Sequence, residues 1–90
     1  MRITNINLKK LENAGRLKAV GSITFDDEFV IKGVSVVEGA GGLFISMPSK
    51  KDEEGKFRNI VFPISRELRE LITKEVLAVY EKEKEADVNE

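Results

Sequence analysis

The sequence predicts an α+β domain: a small antiparallel β-sheet of about four to five strands with one C-terminal α-helix packed on it. Three observations predict it. Residues 17–25 alternate apolar and polar side chains almost without fault, and a second alternating run follows after three acidic residues. The C-terminal third changes to a helical period, with Leu68, Leu71, Ile72, Val76, Val79 and Tyr80 on one stripe. The chain has 90 residues, which leaves room for one core and not for two.

Taken in order, the first element is the least regular. Ile3, Ile6, Leu8 and Leu11 fit neither a strand period nor a helix period cleanly. A bulged strand is the better reading than a short helix, because a two-stranded hairpin alone is marginal and the next two strands need a neighbour. Asn13-Ala14-Gly15-Arg16 reads as the turn that follows. In the second strand Leu17, Ala19, Gly21, Ile23 and Phe25 share a face. Asp26-Asp27-Glu28 is a poor strand former and makes the loop of a hairpin. A three-residue loop sets Phe25 opposite Phe29, Ile23 opposite Ile31 and Gly21 opposite Gly33, so that Ser35 and Val37 join the same face. Facing glycines would leave a hollow in the sheet. The other face then carries Val20, Val30, Val34 and Val36 beside Lys18, Ser22 and Lys32. Four valines there fit partial cover by a second protomer, and equally the liking of β-branched residues for strands.

Gly39, Gly41 and Gly42 form a corner, Leu43–Met47 a short buried strand, and Pro48 ends it. Ser49 to Lys56 reads as a polar loop, and Phe57 to Phe62 as a last extended segment before Pro63. Ser65 is a fitting N-cap for a helix over 65–82, and Glu67 sits in the first turn where the helix dipole favours negative charge. The domain therefore occupies 1–82, followed by an acidic tail at 83–90. No apolar run approaches the ~20 residues of a membrane span, and no leader pattern opens the chain, so a cytoplasmic protein is expected.

Composition excludes more than it suggests. Hydrophobic residues at 41% and charged residues at 34% fit a globular chain and argue against disorder. There is no Cys and no His, which removes thiol chemistry and the commonest acid, base and metal ligand. The glycine corner is no phosphate cradle: Phe44 occupies the third glycine position of G-x-G-x-x-G, and no Gly-Lys-Ser/Thr follows. Asp26-Asp27-Glu28 and Asp52-Glu53-Glu54-Gly55 lack the spaced ligands of a calcium loop. Ser49 beside Lys50 has no third group to make a nucleophile of it. An enzyme is not expected, nor a metal, a cofactor or a small-molecule substrate.

The cations are the physical lead. Lys50, Lys51, Lys56, Arg58, Arg66 and Arg69 fall between residues 50 and 69, against Asp52, Glu53, Glu54 and Glu67. The segment from Glu81 on holds five acidic and two basic residues, a charge of −3, which leaves +2 on the body of a chain whose total is −1. Lys50, Lys51 and Arg58 flank one loop, and Arg66 and Arg69 open the helix after it. Such a set can contact a phosphate backbone, with binding that weakens steeply as salt rises.

Several segments together resemble the SpoVG family of septation proteins. The residues that carry the resemblance are Met1-Arg2-Ile3-Thr4, Lys18-Ala19-Val20, Ser22-Ile23-Thr24-Phe25, Asp26-Asp27-Glu28-Phe29-Val30-Ile31 and Glu38-Gly39. Gly42-Leu43-Phe44-Ile45-Ser46-Met47-Pro48-Ser49-Lys50-Lys51 and Gly55-Lys56-Phe57-Arg58-Asn59-Ile60 are the most specific, and Pro63-Ile64 completes the pattern. The resemblance runs from residue 1 to Tyr80. It implies a homodimeric α+β regulator that binds DNA, and in some members RNA, with a link to sporulation and to restraint of asymmetric septation. Lys50, Lys51, Arg58 and Arg69 match the family pattern and take the nucleic-acid role by that resemblance; Arg66 stands where a small polar residue is common and adds to the patch. Phe62 departs from the family, which usually has His before the proline. The competing expectation is a protein-interaction module of the division or regulatory machinery that touches no nucleic acid.

Overall fold

A computed structural model describes the backbone of residues 2–88 and the side chains of residues 2–82; the side chains of the tail expected at 83–90 lie outside it. Strands β1 (Ile3–Lys10), β2 (Leu17–Phe25), β3 (Phe29–Gly39) and β4 (Gly42–Ser46) form an antiparallel meander in that order. Strands β5 (Ser49–Lys51) and β6 (Phe57–Asn59) make a separate two-stranded ribbon, and α1 (Arg66–Val88) closes the chain. This is the α+β architecture the periods predict, with the polar 49–56 stretch contributing a strand that its composition hides.

The helix lies across one face of the sheet and touches both edge strands, β1 and β4. Ile72, Val76 and Tyr80 of its stripe are buried with Ala19, Ile23, Phe25, Val34 and Val36, while Leu68 and Leu77 pack at the margin. Ser65 caps the helix: the Leu68 amide donates to Ser65 Oγ at 3.1 Å, removing one of the unpaired donors of the first turn. The helix continues to Val88, beyond the expected end at 82.

Two bulges on the meander decide which side chains reach that core. In β1 the register shifts between Ile3 and Asn5, so Ile3 pairs with Phe25 and Ile6 with Ile23. The extra residue reconciles a spacing of three with a period of two, as a bulged strand requires. In β3, Phe29 and Ile31 pair with Phe25 and Ile23 as expected, but the register then slips at Gly33, and Gly21 pairs with Val34 rather than with Gly33. Gly33 has a φ of 84°, a left-handed conformation that glycine adopts without Cβ strain.

That slip reverses the expected parity of the second half of β3. Val34 and Val36 are fully buried against the helix, whereas Ser35 and Val37 pass to the open face. A further shift between Leu17 and Ala19 sets Leu17 opposite Val37, away from the face of Ala19. The four-valine face therefore does not form; Val20 and Val30 remain on it, and Val37 joins them with Phe44 opposite. No glycine-lined hollow forms either, because the Asn7 carbonyl of β1 occupies the space a Cβ on Gly21 would need. The 39–42 corner is a two-residue hairpin turn with Gly39 paired to Gly42, whose φ is 122°. Strand β4 is an edge strand rather than a buried one: Phe44 is 48% exposed, its ring lying over Gly39.

Candidate nucleic-acid interface

The ribbon that carries most of the cations is built by Asp52. Its Oδ1 accepts the amides of Glu54 and Lys56, both at 2.9 Å, closing an Asx-type turn over Glu53-Glu54-Gly55. Gly55 takes a φ of 84° there and donates to the Asp52 carbonyl at 3.0 Å. The Asp52 amide donates to the Lys56 carbonyl at 2.8 Å, which starts the pairing of β5 with β6. Oδ2 receives Arg58 Nε at 2.8 Å. The bond from Arg58, then the Lys56 amide, holds the Asp52 carboxyl below the ordinary range against a small opposing effect of burial. The ribbon is tied to the body at its base, where the Ile60 amide donates to the Pro48 carbonyl at 2.8 Å.

Pairing in the ribbon brings three of the five expected contact residues together. Lys50 sits opposite Arg58, and Lys51 is next to it, opposite Phe57. With Asp52, Asn59 and Ile60 these three line an open cleft of about 390 Å³. Arg69 does not join them directly. It lines a second cleft of about 390 Å³ between β4, the 59–63 segment and the helix, and Asn59 borders both clefts. Arg66 stands apart: it lines neither cleft, and its Nε donates to Glu70 Oε1 at 3.1 Å, one turn along the helix. Among the described residues Lys50, Lys51 and Arg69 carry no ion pair, whereas Arg58 and Arg66 each hold a carboxylate.

The acidic trio of the β2–β3 turn is structural. Asp26 and Asp27 both have a φ of 53°. Asp26 Oδ1 accepts the Arg2 amide at 3.2 Å, and the Asp27 amide donates to Thr4 Oγ1 at 2.9 Å, pinning the turn to β1.

Three exposed aromatic residues, none of them among the expected contacts, stand near these cations. Phe57 is 73% exposed between Lys56 and Arg58; Phe62 and Phe44 are about half exposed and line the Arg69 cleft. An aromatic residue interleaved with cations was a legible signal for Phe57. Nothing local marked Phe44, whose strand reads as buried.

The SpoVG family model matches residues 1–82, the whole of the sheet, the ribbon and most of the helix. The chain belongs to the SpoVG family. It is 48% identical to a protein of Caldanaerobacter subterraneus subsp. tengcongensis over 99% of this chain and 98% of the relative. It is 46% identical over the full length of both chains to one from Clostridium perfringens, and 44% identical to one from Caldicellulosiruptor saccharolyticus over 90% and 92%. All three carry the name "Putative septation protein SpoVG". As a SpoVG-family chain it has, among the described residues, no helix long and apolar enough to cross a membrane.

Proposed function

We propose that this SpoVG-family chain is a cytoplasmic, homodimeric regulator that binds DNA or RNA through its β5–β6 ribbon and the adjoining cleft, and that its target genes or transcripts bear on sporulation and asymmetric septation. One observation carries the reading: Lys50, Lys51 and Arg58 are gathered on a single ribbon, next to the cleft of Arg69, which has no ion pair among the described residues. Family membership and the septation name of the relatives support the cellular role. The protein acts by binding rather than by catalysis. Two copies in a dimer would double a patch that is weak alone and supply avidity. Arg66, engaged with Glu70, contributes least.

The test is a gel-shift panel of DNA and RNA at two salt concentrations with Lys50, Lys51 and Arg58 changed to Ala together. Salt-sensitive binding that the triple variant loses supports the reading; binding unchanged by the triple variant means that another surface is used.

A second reading is a protein-interaction module of the division or regulatory machinery. Its support is apolar: Phe29, 58% exposed, lines with Phe62 and Leu68 a groove at the end of the core, and Ile64, next in the chain after the groove's Pro63, is 91% exposed. Pull-downs with and without nuclease separate the two, because partners retained after nuclease favour the second.

A further inference from the structure

The cleft that holds Arg69 has a composition unlike the rest of the surface. At about 390 Å³ it falls in the range of small-molecule sites, ~300–1,000 Å³. Phe62 supplies a half-exposed aromatic ring, Phe44 borders the cleft with its own ring over Gly39, and the buried Ile72 and half-buried Met47 supply apolar lining. Arg69 brings a guanidinium without an ion pair, and the Asn59 side chain has no hydrogen-bond partner among the described residues. One end of the cleft meets the Lys50–Arg58 cleft at Asn59.

We infer that this cleft takes one unpaired nucleobase, stacked on Phe62, with its phosphate on Arg69, so that the chain selects single-stranded over duplex nucleic acid. The inference rests on the nucleic-acid reading above and specifies its substrate. A base in a duplex shows only its edges, and its faces are covered by its neighbours; recessed aromatic rings reach it only when it is unstacked. Stacking is indifferent to which base is present, and Asn59 can donate to or accept from a base edge. The strand then continues past Asn59 onto Lys50 and Lys51, where its phosphates meet charge and no aromatic recess is needed. Arg69 suits this geometry better than a lysine, since its planar fork binds a phosphate by two parallel bonds. A purely apolar ligand would leave that guanidinium unanswered.

The experiment measures binding of a single-stranded oligonucleotide and of the duplex of the same sequence, by fluorescence anisotropy, to the full chain and to Phe62→Leu and Phe62→Tyr. Leucine keeps apolar packing and removes the stacking face; tyrosine retains it. Thermal unfolding of each variant checks that it is folded. The expected result is tighter binding of the single strand, a loss of about 5- to 150-fold in Phe62→Leu with duplex binding unchanged, and retained binding in Phe62→Tyr. A 2-aminopurine base in the strand is expected to be quenched by the full chain and less so by Phe62→Leu. Equal binding of both forms, or a Phe62→Leu variant that leaves single-strand binding intact or weakens both forms alike, overturns this inference and leaves the wider reading standing. Failure of the full chain to bind either form overturns both.

Discussion

Replacing Asp52 by Asn separates two jobs that one carboxylate does in the ribbon. Asparagine keeps an Oδ1 acceptor for the Glu54 and Lys56 amides, so the turn is retained, but it offers no charge to Arg58. Among the described residues three cations near the two clefts are free of ion pairs, Lys50, Lys51 and Arg69. If each meets one phosphate, the logarithm of affinity for a single strand falls with the logarithm of salt at a slope of about −2 per chain, from ~0.7 counterions released per contact. Between 50 and 200 mM salt that is a loss of about 20-fold. Releasing Arg58 adds a fourth contact, a slope near about −3 and a loss of about 50-fold, with tighter binding at the lower salt. The assay is an anisotropy titration over a salt series, with amide exchange at Glu54 and Lys56 read in parallel to show that the turn persists. An unchanged slope in a variant whose turn is intact refutes the reasoning: Arg58 would then be a structural partner of Asp52 and no phosphate ligand.

Four further outcomes follow from the geometry. Gly21→Ala drives a methyl group into the Asn7 carbonyl and is expected to cost at least ~1–3 kcal/mol, about 4–24 °C in melting temperature, whereas Gly15→Ala, with open space around its Cβ, costs only the strain of its left-handed φ; thermal unfolding by circular dichroism compares them. Gly33→Ala is expected to cost ~1–2 kcal/mol by the same measurement, while deletion of Gly33 removes the extra residue, leaves Val34 and Val36 on the core face opposite Gly21 and Ala19, and keeps unfolding cooperative. Ser65→Ala removes the acceptor of the Leu68 amide and is expected to lower stability by ~0.5–2 kcal/mol in urea titration. Because the Asp52 carboxyl is depressed in the folded chain, its support of the ribbon is complete above the ordinary aspartate value of about 4 and is lost as pH falls below that; the Glu54 and Lys56 amides should lose exchange protection there, and not between pH 5 and 8.

The sheet's first half and the helix were legible because a strong period and a turn signal agreed. Phe25 faces Phe29 because three turn-forming acidic residues separate two clean alternations. The second half of β3 was misread for a physical reason: alternation carries no memory of phase, and one left-handed glycine inverts everything after it. An isolated glycine inside a strand was the available warning. Strand β5 was invisible because Ser49-Lys50-Lys51 has no apolar pattern; what makes it a strand is the Asp52 turn, a contact between side chain and backbone. The cations were legible by type, but their availability was not. Arg58 meets Asp52 across a turn whose path the composition does not give, whereas the spacing of Arg66 and Glu70, one helical turn, did allow that pair to be read.

The order of elements along the chain has a consequence for how the protein is made. The meander is complete at Ser46, and its hairpins close on a timescale of about 1–10 μs. The cover for its apolar face begins to arrive only with Leu68 and Ile72, more than twenty residues later, which at ~5–20 residues per second is a second or more of translation. During that interval Ile23, Phe25, Val34 and Val36 stand uncovered on a preformed surface. A chain cut short before Leu68 therefore keeps the strands but loses the helix that covers these side chains, and is expected to aggregate where the full chain stays dispersed.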